Sequence, residues 1–205
     1  QAHPREAKAH ALQGDLLYYA DRRSEAEAAY REALSFDKSV YAVWEQLMII
    51  LLEERDYAEL REISNEALDL FPNQALTYYF NGLALLELEA PRDAVMSLQQ
   101  AAIMSSRQPR LQVDILNRLG EAQFRLGQTD RGKLQFEKAL EIAPRAVPIL
   151  ANYAYQLAAA NELDKAGEVL KQAQTLSADH PGVLAAGGML AFQQENLPEA
   201  QRLFE

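Results

Sequence analysis

The chain has 205 residues, of which 49% are hydrophobic, and its 30 acidic and 20 basic side chains give a formal net charge of −10. This composition is that of a globular chain, and its acidic balance argues against binding nucleic acid or an anionic membrane surface, because both need a basic patch. The chain has no cysteine, which excludes disulfides, thiolate metal sites and cysteine nucleophiles.

No stretch is apolar enough to predict direct insertion into a membrane. The longest apolar run lies near Leu47–Leu52, far shorter than the roughly 20 residues that a spanning helix needs. The first ten residues lack the apolar segment of a signal peptide. The abrupt start is compatible with a removed leader, so the sequence leaves the location open between the cytoplasm and a bacterial periplasm or cell envelope.

The sequence repeats itself with a period of about 34 residues. A small residue recurs in the first half of the repeats, and a second small residue follows twelve positions later. The first set is Gly14, Gly82, Gly120, Ala154 and Gly188, and the second is Ala26, Ala94, Gly132, Ala166 and Ala200. Two antiparallel helices can approach closely where small side chains face each other. Because one such pair buries too little surface to be stable alone, we expect the pairs to stack.

In chain order, the repeats are predicted at about residues 7–40, 41–74, 75–112, 113–146, 147–180 and 181–205, the last being partial. The second repeat has Met48 and Leu60 in place of its two small residues, so we expect its helices to be splayed or shifted in register. Four extra residues near Pro109 predict a longer helix end or a small surface loop. The sixth repeat stops partway, which predicts that Leu203 and Phe204 are exposed. We expect either that the chain is a fragment of a longer protein or that something else covers this end.

The most regular repeat lies at Leu116–Pro144, with the sequence LNRLGEAQFRLGQTDRGKLQFEKALEIAP. It resembles the tetratricopeptide repeat (TPR) family, and the resemblance extends over essentially the whole chain. Further residues that agree with the family pattern are Tyr30, Trp44, Pro72, Phe136 and Pro144. The resemblance implies an all-α fold, a right-handed α-solenoid of stacked antiparallel helix pairs. About five full TPR units and a partial sixth would form a single array over residues 1–205. The segment ANYAYQLA is similar to repeats of bacterial multi-repeat proteins.

Residues with catalytic or metal-binding chemistry do not cluster in the sequence. His3, His10 and His180 fall in different repeats and lack the spacing of a metal site. The sequence contains no nucleophile elbow, phosphate-binding loop or dinucleotide fingerprint. We therefore predict no cofactor, no bound metal and no enzymatic activity.

In TPR proteins the first helices line a concave groove, and the resemblance implies which side chains face it here. The predicted groove residues are Tyr18, Tyr19, Ile49, Leu52, Tyr79, Leu83, Leu86, Asn117, Arg118, Glu121, Phe124, Arg125, Tyr155, Met189 and Phe192. Some family members grip a terminal carboxylate with lysine, asparagine and arginine. Because the asparagine of that set is absent from the matching positions, we do not expect an acidic chaperone tail as ligand.

These features predict a non-catalytic scaffold for protein–protein interaction. Its apolar and aromatic groove would bind a peptide or an amphipathic helix of a protein partner whose identity the sequence leaves unknown. The alternative is a structural module that self-associates within a larger protein or an envelope-associated assembly. If the groove discriminates among ligands, we expect the polar residues of the fourth repeat to select charge and orientation.

Overall fold

The computed structural model describes residues 4–205, and in that range the chain forms twelve α-helices and no strand. The helices are α1 (Pro4–Tyr19), α2 (Arg23–Phe36), α3 (Tyr41–Glu53), α4 (Tyr57–Leu70), α5 (Ala75–Glu87), α6 (Pro91–Met104), α7 (Pro109–Arg125), α8 (Thr129–Ile142), α9 (Val147–Ala159), α10 (Leu163–Ser177), α11 (Pro181–Gln193) and α12 (Leu197–Phe204). The all-α prediction is confirmed. The chain divides into two compact units, Gln1–Ala90 and Pro91–Glu205.

Every odd-numbered helix ends in the same kind of turn. At the end of α1, the N–H of Arg22 donates to the carbonyl of Leu17 over 2.9 Å, and the N–H of Asp21 donates to Tyr18. Asp21 has a φ of 60°, so the turn is a Schellman motif with one residue in the left-handed region. The same two bonds close the other five odd-numbered helices, where the left-handed residues are Arg55, Glu89, Gly127, Asn161 and Glu195.

The core of the first unit forms where α2, α3, α4 and α5 bury their apolar sides. Tyr30 is almost fully buried, and its ring fills the space beside Gly14 of α1, since a methyl group added at Gly14 would lie 2.6 Å from Cε1 of Tyr30. Trp44 is also buried, and its Nε1–H donates to the carbonyl of Lys38 over 2.9 Å. These large rings therefore have fixed places between consecutive helices.

The pair α3–α4 fills its interface differently. Met48 and Leu60, which replace the two small residues, are both 0% exposed. The backbones of α3 and α4 approach each other less closely than those of α1 and α2, so the separation expected for this pair is observed. Bulky side chains therefore fill the interface between α3 and α4, whereas the backbones of α1 and α2 lie closer together.

In the second unit, α7 and α8 cross closely through two glycines. A methyl group added at Gly120 would lie 2.8 Å from Cδ2 of Phe136, and one added at Gly132 would lie 2.4 Å from Cδ2 of Phe124. Each glycine faces a phenylalanine of the other helix, which shows that the two helices run antiparallel. Phe136 also stacks on Tyr153 with ring centroids 4.9 Å apart, so it joins α8 to α9.

The sixth repeat uses the same arrangement of glycine and aromatic ring. The ring of Phe204 packs against Gly188, where an added methyl group would lie 2.7 Å from Cε1 of the ring. Phe204 is nevertheless exposed over about half of its surface, as expected from the sequence, whereas Leu203, for which the same was expected, is partly buried. The neighbouring Gly187 lies against Leu203, so both glycines serve helix packing.

The four extra residues near Pro109 lengthen the beginning of α7. This helix has 17 residues, whereas α3, α5, α9 and α11 each have 13. The connection before α7 covers residues 105–108 and is as long as that before α3, at 37–40. Proline is tolerated in the first turn of a helix because its missing N–H would have no partner there. Pro109 therefore starts an extra turn, and no surface loop forms.

Candidate functional site

In the first unit, the predicted groove residues of α1 and α3 are accessible to different degrees. Tyr18, Ile49 and Leu52 are partly buried at the edge of the core, and Tyr19 is 87% exposed. The rings of Tyr18 and Tyr19 meet edge to face with centroids 6.3 Å apart. An aromatic and aliphatic edge is therefore present on these two helices.

The residues predicted on α5 divide between edge and core. Tyr79 is partly buried and packs at the margin of the first core. Leu83 belongs to that core, and Leu86 is only 1% exposed. The structure corrects the groove assignment of these two leucines, because their side chains are already covered within the protein.

Tyr18 is held in place by a charged network. Its hydroxyl donates to Oε1 of Glu53 over 2.7 Å, and Arg23 Nε lies 2.9 Å from Oε2 of the same carboxylate. The guanidinium carbon of Arg23 lies 3.9 Å from the centroid of the Tyr18 ring. The hydrogen bond to Glu53 is the main reason why the pKa of Tyr18 is raised above its ordinary value. Since Arg23 covers one face of Tyr18, Tyr19 is the more accessible ring.

The fourth repeat carries a group of two arginines and one carboxylate on α7. Glu121 is 6% exposed, and its two oxygens lie 2.9 Å from Nη1 of Arg118 and 2.7 Å from Nη2 of Arg125. These charge-assisted bonds compensate the buried carboxylate. Glu121 was predicted to face a ligand, but both of its oxygens are engaged by the arginines. The arginines of this group are therefore already engaged with a carboxylate of the protein.

A row of amides continues from this group onto α9. Asn152 Nδ2 donates to Oδ1 of Asn117 over 2.9 Å, and Gln156 Nε2 donates to Oδ1 of Asn152 over 3.3 Å. Asn117 was predicted, whereas Asn152 and Gln156 were missed. Ala151, one residue before Asn152, is buried, so these amides lie at the edge of a packed face of α9.

The remaining predicted residues of the second unit are aromatic or aliphatic. Phe124 is a core residue because its ring packs against Gly132 and lies next to Phe136, with ring centroids 5.9 Å apart. The structure thus corrects its groove assignment. Tyr155 and Met189 are partly buried at the edge of the second core, and Phe192 is 54% exposed.

Within residues 4–205, no group of three or more histidine, cysteine, aspartate or glutamate side chains could hold a metal ion. His10 stacks on Phe36 with centroids 5.4 Å apart, and Nδ1 of His180 accepts the N–H of Gly182 at the start of α11. His3 lies outside the described residues. Among the helices that the structure describes, none combines the length and the apolar character needed to cross a bilayer.

Two comparisons with known sequences found similar proteins. Residues 113–145 match the family model of the tetratricopeptide repeat. The E3 ubiquitin-protein ligase CHIP of Arabidopsis thaliana is 28% identical over 88 residues, which make up 43% of this chain and 32% of the ligase. The match thus spans about a third of the length of this curated relative.

Solved structures share the fold over nearly the whole chain. PilW, a widely conserved type IV pilus biogenesis factor, matches with a TM-score of 0.80 and 17% identity over 96% of this chain and 90% of its own. YrrB, a TPR protein with an unusual peptide-binding site, matches with a TM-score of 0.70 and 23% identity over 92% of this chain and 91% of its own. These likenesses show the helical repeat fold.

Proposed function

We propose that this chain, which belongs to the tetratricopeptide repeat family, holds a protein partner on its odd-numbered helices as a non-catalytic scaffold. TPR proteins generally act through protein–protein interaction. The proposed ligand is a peptide or an amphipathic helix, bound by the apolar and aromatic side chains that these helices leave accessible.

One observation carries the proposal, namely that accessible apolar side chains recur on the odd-numbered helices of both units. In the first unit these are Tyr19, Ile49, Leu52 and Tyr79, and in the second they are Tyr155, Met189 and Phe192. Aromatic side chains of this kind commonly contribute most of the binding energy at protein interfaces. The arginines of α7 supply polar selection beside them.

Selection of phage-displayed random peptides on the wild-type protein tests the proposal. Selected peptides should bind roughly tenfold or more weakly to the Tyr19→Ser and Phe192→Ser variants, because an exposed aromatic contact is lost. The matched controls are Met96→Ser and Ile103→Ser, which remove similarly exposed apolar side chains from α6, an even-numbered helix. Equal losses for both groups of variants would contradict a specific surface on the odd-numbered helices.

The alternative function, self-association, is supported by an apolar face of α1 that shares only Tyr19 with the proposed ligand surface. Leu12, Leu16 and Tyr19 lie at spacings of four and three residues on one face of α1, and all three are more than half exposed. An apolar stripe of this kind commonly marks an interface. Sedimentation equilibrium should then give a mass above the 23.0 kDa of one chain. The Leu16→Lys variant should lower the measured mass to that of a single chain. A single-chain mass at every protein concentration would exclude this alternative.

A further inference from the structure

The extra turn of α7 contributes two residues to the lining of a pocket. The pocket has a volume of about 430 Å³ and lies between the beginning of α7 and the end of α8. Its lining residues are Pro109, Arg110, Val113, Asp114, Ile142 and Ala143. Without the four extra residues, α7 would lack the turn that supplies Pro109 and Arg110, about 6 Å of helix at 1.5 Å per residue.

The floor of the pocket is apolar and partly open to solvent. Val113 is buried, Ala143 is partly buried, and Ile142 remains 41% exposed although it is a large aliphatic residue. A bulky apolar side chain from a ligand would cover Ile142 and remove that surface from water. The pocket thus provides a place for one aliphatic or aromatic side chain.

The two chain segments that line the pocket are richer in arginine than in acid. Arg110 lines the pocket, and Arg107 and Arg145 each lie two residues from a lining residue. All three are exposed, and none forms an ion pair or side-chain hydrogen bond with any residue of the described range 4–205. Asp114 and Glu141 are the acids of the same segments, so the local balance is positive in a chain whose net charge is −10.

The chemistry of Asp114 also favours an anionic ligand over a cationic one. Burial raises the pKa of its carboxyl group, and the charge of Arg118 opposes that shift. One partly desolvated carboxylate is a weak partner for a cation when the exposed guanidinium group of Arg110 lines the same pocket and Arg107 and Arg145 lie close by in the sequence. Those guanidinium groups would instead pair with carboxylates of a ligand, and they are well suited to do so in a bidentate way.

We propose that this pocket is a second recognition site, which binds an acidic peptide segment. One bulky apolar side chain of the peptide enters between α7 and α8, and its neighbouring carboxylates pair with Arg110, Arg107 and Arg145. None of the residues that line this pocket belongs to the side chains proposed above to bind a partner, so the two sites can be tested separately.

Three synthetic peptides with the same central phenylalanine test this site: DEDFDED, SGSFSGS and KRKFKRK. Titrated into the ¹⁵N-labelled full chain, DEDFDED should shift the amide resonances of Ile142, Ala143 and Val113. It should bind roughly tenfold more tightly than SGSFSGS, and added salt should reduce that difference. Shifts that are equal for the acidic and neutral peptides, or that fall elsewhere on the chain, would overturn the proposal.

Variants distinguish binding in the pocket from general electrostatic attraction of the peptide. Arg110→Glu and Ile142→Asp should each weaken binding of DEDFDED roughly tenfold, whereas Asp114→Asn should tighten it. Arg92→Glu is the matched control, because Arg92 also follows a proline at the start of a helix, α6. An equal loss with Arg92→Glu would show attraction to charge alone and overturn the site. Circular dichroism verifies that every variant remains helical, and the wild-type peptide comparison stands even if one variant fails to fold.

Discussion

The helix pairs α7–α8 and α3–α4 are joined by turns of equal length, yet they fill their interfaces in opposite ways. In α7–α8 the first helix contributes Gly120, and the ring of Phe136, 16 residues later, occupies the space. In α3–α4 the first helix contributes Met48, and the residue 16 positions later is Ser64. Met48 and Ser64 are both 0% exposed. At this pair of positions the larger side chain therefore stands on the first helix in α3–α4 and on the second helix in α7–α8.

Other helix pairs follow the same rule of compensating volume. Gly14 faces Tyr30 and Gly188 faces Phe204, in both cases across 16 residues. Ala154 is buried, and Leu170 lies 16 residues after it as a side chain of intermediate size. A helix interface of this type therefore requires a suitable combined volume, and a small residue at one fixed position is only one way to provide it.

The largest expected effect comes from placing the methionine of α3 into α7. Gly120→Met should lower the free energy of unfolding by about 3 kcal/mol or more, because the interface has no room for the side chain. A methyl group alone would lie 2.8 Å from Phe136 and 3.2 Å from the carbonyl of Gly132. Urea denaturation measures the loss.

The matched control is Gly167→Ala in α10, where an added methyl group would meet only Leu190, at 4.0 Å. This substitution should stabilise the protein by about 1 kcal/mol, since alanine favours a helix over glycine. If Gly120→Met were tolerated as well as Gly167→Ala, the close crossing of α7 and α8 would not limit stability.

A smaller effect should appear when the second helix is also changed to match α4. The double variant Gly120→Met with Phe136→Ser should be about 2 kcal/mol more stable than the sum of the two single losses predicts, because residues in contact couple by such amounts. A double-mutant cycle measured by urea denaturation gives this coupling. Additive losses would show that combined volume is not what distinguishes the two pairs.

The smallest effect concerns the turns of the same two pairs. Arg55 and Gly127 occupy equivalent left-handed positions, with φ of 60° and 70°. Arg55→Gly should stabilise the protein by about 0.5–1 kcal/mol, and Gly127→Arg should cost about 1 kcal/mol, because glycine adopts this region without steric cost. Thermal unfolding measures both changes. Glu54→Gly, one residue earlier at a φ of −79°, should destabilise, and a gain there would contradict the argument.

The fold was predictable because the sequence repeats with a period of about 34 residues. The recurring small residues identified the helix pairs, and the structure places Gly14, Gly120, Gly132 and Gly188 at close contacts. Whether the four extra residues form a surface loop or lengthen a helix was not predictable. Pro109 is compatible both with the end of a helix and with the first turn of one. Ser64, the small residue paired with Met48, also escaped prediction. It lies on another helix, and the relation between the two positions becomes clear only when the two helices are packed together.

The candidate surface was predictable only in part. A fixed offset selects one face of a helix, but it does not tell how far a neighbouring helix covers that face. Leu83, Leu86 and Phe124 therefore belong to the core. The bonds of Glu121 to Arg118 and Arg125 follow from spacings of three and four residues that are visible in the sequence. Its burial depends on tertiary packing and is not visible there.

The six Schellman turns have a consequence for how the surface of this chain can change. Backbone groups alone close each turn, so the left-handed residue contributes no side chain to the closing bonds. The positions accordingly hold two glutamates, an aspartate, an arginine, an asparagine and a glycine. Charge at these positions can therefore be exchanged, in natural variation or by engineering, while the helix pairs remain intact. They are also suitable attachment points for spectroscopic labels that report on binding without disturbing the helices.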